Sequence, residues 1–357
     1  MPQWVPIIIL GIGNVGRALT RQIVDLRALH AERLRARLEI VALADSDGAI
    51  FQPGGLQDSE LDAILRAKAQ GARLRDSELG APLGDLLGLV DIAVDDGAVV
   101  VDLTASDATI PALESALDQG YGAVTANKLP LAADLATYRR LTDHRRFRWE
   151  ATVGAGLPVI ATLQNLILTG DEVKRIEGAL SGTLGFLASQ LEAGVPFSAA
   201  VREAKQRVYT EPDPRQDLGG LDAARKALIL GRMSGLPLEL SDVVIESLYP
   251  AAMNSLTVDE FLDALPALDE QYAQRVAEAK SAGLTLRYAA EVSASGARVG
   301  FQALPPDHRL ARVRSSDSIV VFQTARYDEN PLVVSGRGAG AVNTAAGVLG
   351  DILSLIA

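Results

Sequence analysis

The chain has 357 residues and a formal net charge of −11, from 45 acidic and 34 basic side chains. Because no block of Lys or Arg could follow a phosphate backbone, a nucleic-acid partner is not expected. Cysteine is absent and the three histidines are scattered, so disulfides, thiolate chemistry and a histidine-rich metal site are not expected either. The length suggests a two-domain soluble enzyme, since domains commonly span about 100–200 residues. The apolar opening, residues 7–10, is too short for a signal peptide or a membrane span, which favours a cytoplasmic protein without membrane partners.

The amino-terminal segment predicts a dinucleotide-binding unit. Residues 5–10 form an apolar, β-branched run typical of a buried strand, and a Gly-x-Gly-x-x-Gly motif and a helical pattern to about Leu38 follow it. In such a motif the first glycine permits a tight turn, the second admits a pyrophosphate, and the third lets helix and strand pack closely. Alternatively, the glycines only end a strand. The candidate cofactor contacts here are Gly11, Gly13, Asn14, Val15 and Gly16.

A second strand, residues 39–44, ends at Asp45, where a Rossmann-type unit places the acid that binds the adenosine ribose hydroxyls. This carboxylate is expected to repel a 2′-phosphate, and no Arg follows closely, so NAD is favoured over NADP. If residues 45–48 are only a turn, no cofactor preference follows. Residues 46–96 have no predicted role.

Two further strands are predicted in residues 98–104 and 122–128. In open α/β sheets ligands bind at the carboxyl ends of the strands, so Thr104 and Lys128 are expected on the nicotinamide side, and Ser106 is a further candidate cofactor contact. The alternative for Lys128 is an ordinary solvated lysine.

Residues 209–226 form an acidic, proline-containing loop that leads into a helix with Asp222 and Lys226 on one face, at positions i and i+4. This is the layout of a catalytic lysine beside an orienting acid. The alternative is a surface ion pair worth a few tenths of a kcal/mol. The prolines restrict the backbone around three carboxylates and so predict a site for an amino-bearing substrate. These carboxylates are Glu211, Asp213 and Asp217.

Three segments, residues 150–158, 181–183 and 209–226, resemble homoserine dehydrogenase, and the similarity continues through residues 244–250, 308–321 and 338–351. The chain looks like the short form of that family, without a kinase domain or a regulatory ligand-binding domain. The resemblance implies reversible, NAD(P)-dependent interconversion of L-homoserine and L-aspartate 4-semialdehyde, a step towards threonine, isoleucine and methionine. It also implies a homodimer.

The fold implied is α/β, with a Rossmann-type doubly wound parallel sheet and an α+β domain for substrate binding, catalysis and dimerisation. The first domain would comprise residues 1–150, completed by 335–357, and the second residues 151–334. Two alternatives remain open: a dehydrogenase of another small amino-hydroxy acid, and a nucleotide-binding sensor without turnover. A sensor would have lost the catalytic groups.

The resemblance also assigns roles to residues. Lys226 would exchange the hydroxyl proton as hydride moves to or from the nicotinamide, and Lys128 would lie between substrate oxygen and cofactor. Glu211 would hold the substrate amino group, while Asp217 and Asp222 would hold its polar end and a bound water. Two neighbouring ammonium groups lower each other's pKa, so we expect the two lysines to titrate as a coupled pair. Further substrate contacts are expected at Tyr209, Gly182 and Thr183.

Residues 181–183 are predicted to begin a helix, whose free N–H groups would receive the substrate carboxylate; the alternative is an ordinary helix cap. Near the carboxyl terminus, Gly340 is a candidate cofactor contact. The sequence departs from the family pattern at Gly185 and Gly219, where larger or polar residues are common. These departures affect the positioning of the substrate and remove no catalytic group.

The segment from Glu150 to Leu157 resembles a monovalent-cation site. Its ligands would be the Glu150 side chain and the backbone carbonyls of Val153, Ala155 and Leu157. Coordination by oxygen alone suits sodium or potassium, and glycine lets carbonyls turn inward. The alternative, a hinge between domains, is compatible with an ion.

Overall fold

The computed structural model describes residues 2–92, 97–313 and 317–356. The chain forms two compact units, the first comprising Met1–Gly156 with Gly340–Ala357 and the second Leu157–Ala339. The divisions fall a few residues after the predicted ones. The functional labels of the two domains stay predictions.

The first unit contains strands separated by helices. Its strands are β1 (Gln3–Leu10), β2 (Ala36–Ala44), β3 (Gly48–Phe51), β4 (Gly80–Pro82), β5 (Val99–Asp102), β6 (Gly122–Thr125) and β7 (Phe147–Arg148). Its helices are α1 (Asn14–Arg33), α2 (Asp58–Ala69), α3 (Leu86–Ile92), α4 (Ile110–Asp118), α5 (Leu129–Ala132), α6 (Leu135–Thr142) and α14 (Ala341–Ser354).

The strands of the first unit lie in the order β4-β3-β2-β1-β5-β6-β7. Neighbours from β2 to β7 pair in parallel, as the prediction of a Rossmann-type sheet requires. Strands β3 and β4 add antiparallel pairs at one edge. These two strands come from the segment to which the sequence assigned no role, and each is only three or four residues long.

The central strands are apolar because both faces of the sheet are covered. Residues 5–10 of β1 are buried, and α1 and α14 contribute to the same core cluster through side chains such as Leu19, Ile23, Val348 and Ile352. Burying such side chains stabilises the fold by roughly 1.5–3 kcal/mol each. The carboxyl-terminal helix therefore belongs to the first unit, although it lies far away in the sequence.

The predicted extension of the first helix to about Leu38 is wrong. Helix α1 ends at Arg33, and Arg35 has a positive φ of 51°, which reverses the chain. Strand β2 begins at Ala36, which pairs with Gln3 of β1. Backbone pairing with a buried strand prevails here over the local helical pattern.

The second unit is an α+β assembly. Its strands are β8 (Val173–Ala179), β9 (Val244–Ile245), β10 (Thr285–Ser293), β11 (Gly296–Leu304), β12 (Asp317–Thr324) and β13 (Leu332–Arg337). Its helices are α7 (Val159–Leu168), α8 (Gly182–Glu192), α9 (Phe197–Gln206), α10 (Arg215–Leu218), α11 (Leu221–Met233), α12 (Val258–Ala264) and α13 (Asp269–Ser281).

The strand order of this sheet is β13-β12-β8-β10-β11-β9, with antiparallel pairs except between β11 and β9. Helices α8, α11 and α13 pack against its central strands. Strand β8 runs directly into the start of α8, and the acidic loop runs through α10 into α11. Across both units, no helix of the described residues has the length and apolar character needed to cross a bilayer.

Candidate active site

The three glycines of the amino-terminal motif lie in three different structural environments. Gly11 has a φ of +100°, and a Cβ there would lie 2.8 Å from the carbonyl group of Leu103. A Cβ on Gly16 would lie 2.2 Å from the carbonyl oxygen of Gly11, so helix and turn approach as closely as glycine allows. Gly13 instead faces open space, and a Cβ added there would meet no atom of the described residues within 4 Å. This is the geometry the motif predicts: a tight turn, a close contact and an open approach to the helix terminus.

A cavity of about 1210 Å³ opens in front of this turn. Six predicted cofactor residues line it: Gly11, Gly13, Asn14, Asp45, Thr104 and Ser106. Four do not: Val15, which packs against the core, Gly16, which serves the helix packing, Lys128 and Gly340. Gly340 precedes α14 with a φ of +105°, so its glycine character is explained by backbone conformation.

The cavity also has apolar walls that the sequence did not predict. Leu83, Leu86 and Leu87 line it from the segment without a predicted role, and Pro111 and Ala112 line it from α4. A cleft with apolar sides and few polar groups is typical of a site for a planar ring system. Only tertiary folding brings the leucines beside the strand ends, so no local sequence signal identified them.

Asp45 is held by four donors inside the protein. One carboxylate oxygen accepts from the backbone N–H groups of Asp47 (3.0 Å) and Gly48 (2.9 Å). The other accepts from the Lys68 ammonium (2.6 Å) and the backbone N–H of Leu74 (2.9 Å). Burial acts to raise the pKa of Asp45, but the bond from Lys68 and the three backbone bonds outweigh it and the pKa is lowered. The carboxylate is therefore charged but paired, and Lys68 lines the same cavity.

In the second unit, the start of α8 collects several predicted substrate residues. The Ser181 hydroxyl caps the helix by accepting from the N–H of Leu184 at 3.3 Å. The Thr183 hydroxyl lies 2.5 Å from the carbonyl oxygen of Tyr209 and 3.2 Å from Asp217. The other oxygen of Asp217 accepts from the backbone N–H of Glu211 at 2.8 Å. Thr183 and the acidic loop thus share one hydrogen-bond network.

Lys226 lies in the same region and is largely buried. Its ammonium nitrogen is 2.7 Å from a carboxylate oxygen of Asp222 and donates to the carbonyl oxygen of Leu180 at 2.6 Å. The side chain of Lys226 is 14% exposed and that of Asp222 46% exposed. A freely solvated pair of side chains, the alternative for this i, i+4 spacing, does not describe Lys226.

The titration of Asp217 is perturbed by its surroundings. Burial raises the pKa of Asp217, and the charges of Glu211 and Asp222 add to the rise. The hydrogen bonds from Glu211 and Thr183 oppose this rise in part. Asp222 is already paired with Lys226, but the charges of Glu211 and Asp217 act on each other, and a cationic ligand beside them would relieve that repulsion.

Asp213 does not belong to this group, which corrects the expectation that three loop carboxylates would be free to grip a cation. The Arg215 guanidinium donates to both oxygens of Asp213, at 2.9 and 2.8 Å, and this pairing lowers the pKa of Asp213. Arg215 also donates to the carbonyl oxygens of Met253, Asn254 and Leu256. The pair therefore anchors the loop to the segment before α12.

The proposed cation ligands occupy an irregular backbone. Glu150, Val153 and Ala155 lie in the first unit, and Leu157 is the first residue of the second. Gly154 and Ala155 have φ angles of +88° and +56°, and a positive φ is uncommon for alanine. Such an outlier turns successive carbonyls in different directions and is a reason to look for function.

A buried acid on α14, Asp351, contacts this segment and was not predicted. Its carboxylate accepts from the backbone N–H of Glu150 at 2.7 Å. Burial raises the pKa of Asp351 to about 7, and the charge of Glu150 contributes. The sequence placed these residues two hundred positions apart, so no local pattern connected them.

Comparison with known proteins identifies the family. Residues 158–353 match the family model described as homoserine dehydrogenase, and residues 11–148 match the one described as homoserine dehydrogenase, NAD binding domain. The chain belongs to the homoserine dehydrogenase family. The resemblance seen in the sequence is thereby confirmed.

Individual family members match over nearly the whole chain. A bifunctional aspartokinase/homoserine dehydrogenase of Zea mays is 39% identical over 97% of this chain, which spans only 38% of that relative. A homoserine dehydrogenase of Schizosaccharomyces pombe is 35% identical, covering 99% of this chain and 95% of the relative.

Solved structures share the fold. A crystal structure of a Candida auris protein described as of unknown function has a TM-score of 0.87 and 33% identity, covering 99% of this chain and 98% of that one. A mutant of a hyperthermophilic archaeal homoserine dehydrogenase, solved in complex with NADPH, has a TM-score of 0.77 and 25% identity, covering 99% and 97%.

Proposed function

We propose that this member of the homoserine dehydrogenase family catalyses the reversible, NAD(P)-dependent oxidation of L-homoserine to L-aspartate 4-semialdehyde. The observation that carries the proposal is the largely buried ammonium of Lys226, held between Asp222 and the carbonyl oxygen of Leu180 at the start of α8. The cavity at the glycine turn and the match to the NAD binding domain support dinucleotide use. So does the NADPH complex of the archaeal family member.

The groups of homoserine match the groups of the second unit. Its ammonium suits the carboxylates of Glu211 and Asp217. Its carboxylate suits the N–H groups of Gly182 and Thr183, which open α8 and lack an intrahelical acceptor by position. Its hydroxyl suits Lys226, the basic group of this region.

The chemistry balances with one base. A bound nicotinamide would supply the oxidising power by taking a hydride from the carbinol carbon, and the hydroxyl proton would pass to Lys226 once its ammonium group has given up a proton to solvent. The products are the aldehyde, the reduced dinucleotide and a proton, which Lys226 releases to solvent. Asp222 holds the amine in place, and a nearby cation stabilises alkoxide character as the hydride leaves. We propose Lys128 as that cation, in keeping with the resemblance.

Cofactor choice depends on Asp45. The sequence favours NAD because a free carboxylate repels a 2′-phosphate. In the structure Asp45 accepts four hydrogen bonds, one of them from the Lys68 ammonium, and these reduce its repulsion of a 2′-phosphate. Arg17 adds a second cation to the same cavity. We therefore propose that both NAD and NADP are accepted.

A sodium or potassium ion at the carbonyls of Val153, Ala155 and Leu157 and the side chain of Glu150 is part of the proposal. The positive φ angles of Gly154 and Ala155 and the all-oxygen donor set support it. Activity measured in sodium, potassium and tetramethylammonium chloride at equal ionic strength tests it, because equal rates in all three salts would exclude a functional cation at this site.

Light scattering during gel filtration tests the expected homodimer. A cytoplasmic location stays a prediction of the sequence.

The decisive assay follows the absorbance of reduced nicotinamide after homoserine is added with NAD and, separately, with NADP. We expect turnover with homoserine and little with serine, and loss of turnover in Lys226→Ala. If serine or a longer homologue is oxidised faster than homoserine, the substrate is another amino-hydroxy acid. If no amino-hydroxy acid is oxidised although NADH binds, the enzyme proposal fails and the sensor alternative stands.

A further inference from the structure

A buried carboxylate lies directly behind the cofactor cavity and has no role in the proposed chemistry. Asp102 is the last residue of β5 and is 0% exposed. One of its oxygens accepts from the backbone N–H and the hydroxyl of Thr104, at 2.9 and 2.7 Å. The other accepts from the Thr109 hydroxyl at 2.8 Å and the Asn127 amide at 3.0 Å. All of these donors are uncharged groups, and no charged donor to Asp102 is found among residues 2–92, 97–313 and 317–356.

The network joins the carboxyl ends of two neighbouring strands. The Asn127 amide group, which follows β6, also donates to the carbonyl oxygen of Ser106 at 2.7 Å, and its own carbonyl accepts from the N–H of Leu129 at 3.0 Å. Asp102 and Asn127 therefore tie the turn after β5 to the turn after β6. Lys128 lies in the second turn, between two residues whose positions this network fixes.

The network requires a carboxylate and not merely a polar side chain. The N–H of Thr104 and the amide of Asn127 can only donate, and each points at a different oxygen of Asp102. An asparagine would turn its own NH2 group towards one of them and leave two donors facing each other. Burying a carboxylate without a cation is costly, so its presence calls for an explanation.

The residues that Asp102 holds in place suggest why a carboxylate is buried at this position. Thr104, Ser106 and Thr109 all line the cavity, so the network around Asp102 holds part of the wall that a ligand in the cavity would meet. A binding site works well only when its contacts are held within about 0.5 Å by supporting hydrogen bonds.

We propose that Asp102 is the positioning residue of the cofactor site. It acts through Thr104, Thr109 and Asn127, and sets the wall of the cavity together with the turn that carries Lys128. This inference rests on the proposed use of NAD(P).

The test compares Asp102→Asn with Asp107→Asn. The second variant removes the same charge from an exposed position in the same turn. Fluorescence titration gives the Kd of NADH and NADPH, and steady-state kinetics give kcat and both KM values. For Asp102→Asn we expect a Kd higher by about ten- to a hundredfold and a lower kcat at saturating cofactor. The KM for homoserine should stay within about twofold of the wild type, because the groups proposed to bind its ammonium and carboxylate lie in the other unit, whereas Lys128 is proposed to act on the hydroxyl as hydride leaves and would therefore change kcat. Asp107→Asn should match the wild type in every value.

Thermal unfolding separates positioning from a purely structural role. If Asp102→Asn melts at a lower temperature but binds both dinucleotides as tightly as the wild type, the inference is wrong. Should that variant not fold, Thr109→Val decides, since it removes one donor and keeps the side-chain shape. We expect its Kd to rise severalfold, and an unchanged Kd would overturn the inference. A wild-type protein that binds neither dinucleotide would instead overturn the proposed function, and this inference with it.

Discussion

The ammonium nitrogen of Lys226 donates a 2.6 Å hydrogen bond to the carbonyl oxygen of Leu180, the residue that precedes the cap of α8. This bond joins α11 to the start of α8. It places the proposed base beside the N–H groups proposed to receive the substrate carboxylate. Because a hydrogen bond and an ion pair both hold the amine, its position does not depend on bound substrate.

Replacing Lys226 by alanine tests its role as the base. General-base catalysis contributes about a hundred- to ten-thousandfold, so we expect kcat for homoserine oxidation to fall by this amount. Dinucleotide Kd values should be unchanged, because the cofactor groups lie in the first unit. Lys174→Ala, at an exposed lysine on β8, is the matched control and should keep full activity. Activity in Lys226→Ala close to that of the control would exclude this residue as the base.

Gly13 and Gly16 should respond differently to the same substitution. In Gly16→Ala the added Cβ would lie 2.2 Å from the carbonyl oxygen of Gly11, so helix and turn must separate and the protein should lose about 1–3 kcal/mol of unfolding free energy. In Gly13→Ala the Cβ meets open space. That variant should fold like the wild type yet bind dinucleotide at least about tenfold more weakly, because the methyl group occupies the approach of the pyrophosphate.

Denaturant titration and a dinucleotide Kd for each variant check this pair. Equal losses of stability in the two variants would contradict the separate roles. Normal binding by Gly13→Ala would place the pyrophosphate elsewhere.

Lys68 should tune the choice between NAD and NADP. Removing it in Lys68→Ala leaves the charge of Asp45 without its cation, so binding of the 2′-phosphate should weaken more than binding of NAD. We expect the ratio of kcat/KM for NADP to that for NAD to fall by about tenfold, the effect of losing one charged interaction. Lys68→Arg keeps the charge and should keep the ratio close to that of the wild type. A ratio that is equal in the alanine and arginine variants would show that the charge of Lys68 does not act on cofactor choice.

Local patterns predicted the parts of the site that one segment builds. The strand, glycine turn and helix around Gly11, and the shared face of Asp222 and Lys226, follow from periodicity and spacing alone. The alternating strands and helices of residues 1–150 likewise indicated a parallel sheet.

Features that depend on distant segments were missed for a physical reason. Asp213 reads as a free carboxylate in the sequence, and only the fold shows Arg215 closing over it while anchoring to carbonyls about forty residues away. Lys68 reaches Asp45 from the end of α2, and Asp102 is satisfied from the end of a neighbouring strand. Such contacts are set by how segments that are distant in the chain pack together, which a single sequence does not display.

Asp217→Asn should make the protein more stable and less active. Asp217 accepts from the N–H of Glu211, and an asparagine oxygen can replace this acceptor. In the wild type the Thr183 hydroxyl lies within donor distance of both Asp217 and the carbonyl oxygen of Tyr209; in the variant its hydrogen would go to Tyr209 alone, and the asparagine NH2 group would donate to the hydroxyl oxygen. The amide therefore satisfies every partner without a buried charge, but it loses the attraction for the substrate ammonium.

The raised pKa of Asp217 also predicts how the difference in stability between variant and wild type changes with pH. Burial raises the pKa of Asp217 above its ordinary value of 3.8, so between that value and the raised one the folded state binds more protons than the unfolded state. In this window the ionisation of Asp217 lowers the unfolding free energy of the wild type as pH rises, and Asp217→Asn lacks this contribution. The unfolding free energy of the variant minus that of the wild type should therefore grow from about pH 4 upwards and level off once the folded wild type has ionised. Denaturant titrations at several pH values measure this difference, with Asp307→Asn, at an exposed position, as the control. A difference that stays constant with pH would mean that the Asp217 carboxyl carries no burial cost, and the predicted gain in stability would then be wrong.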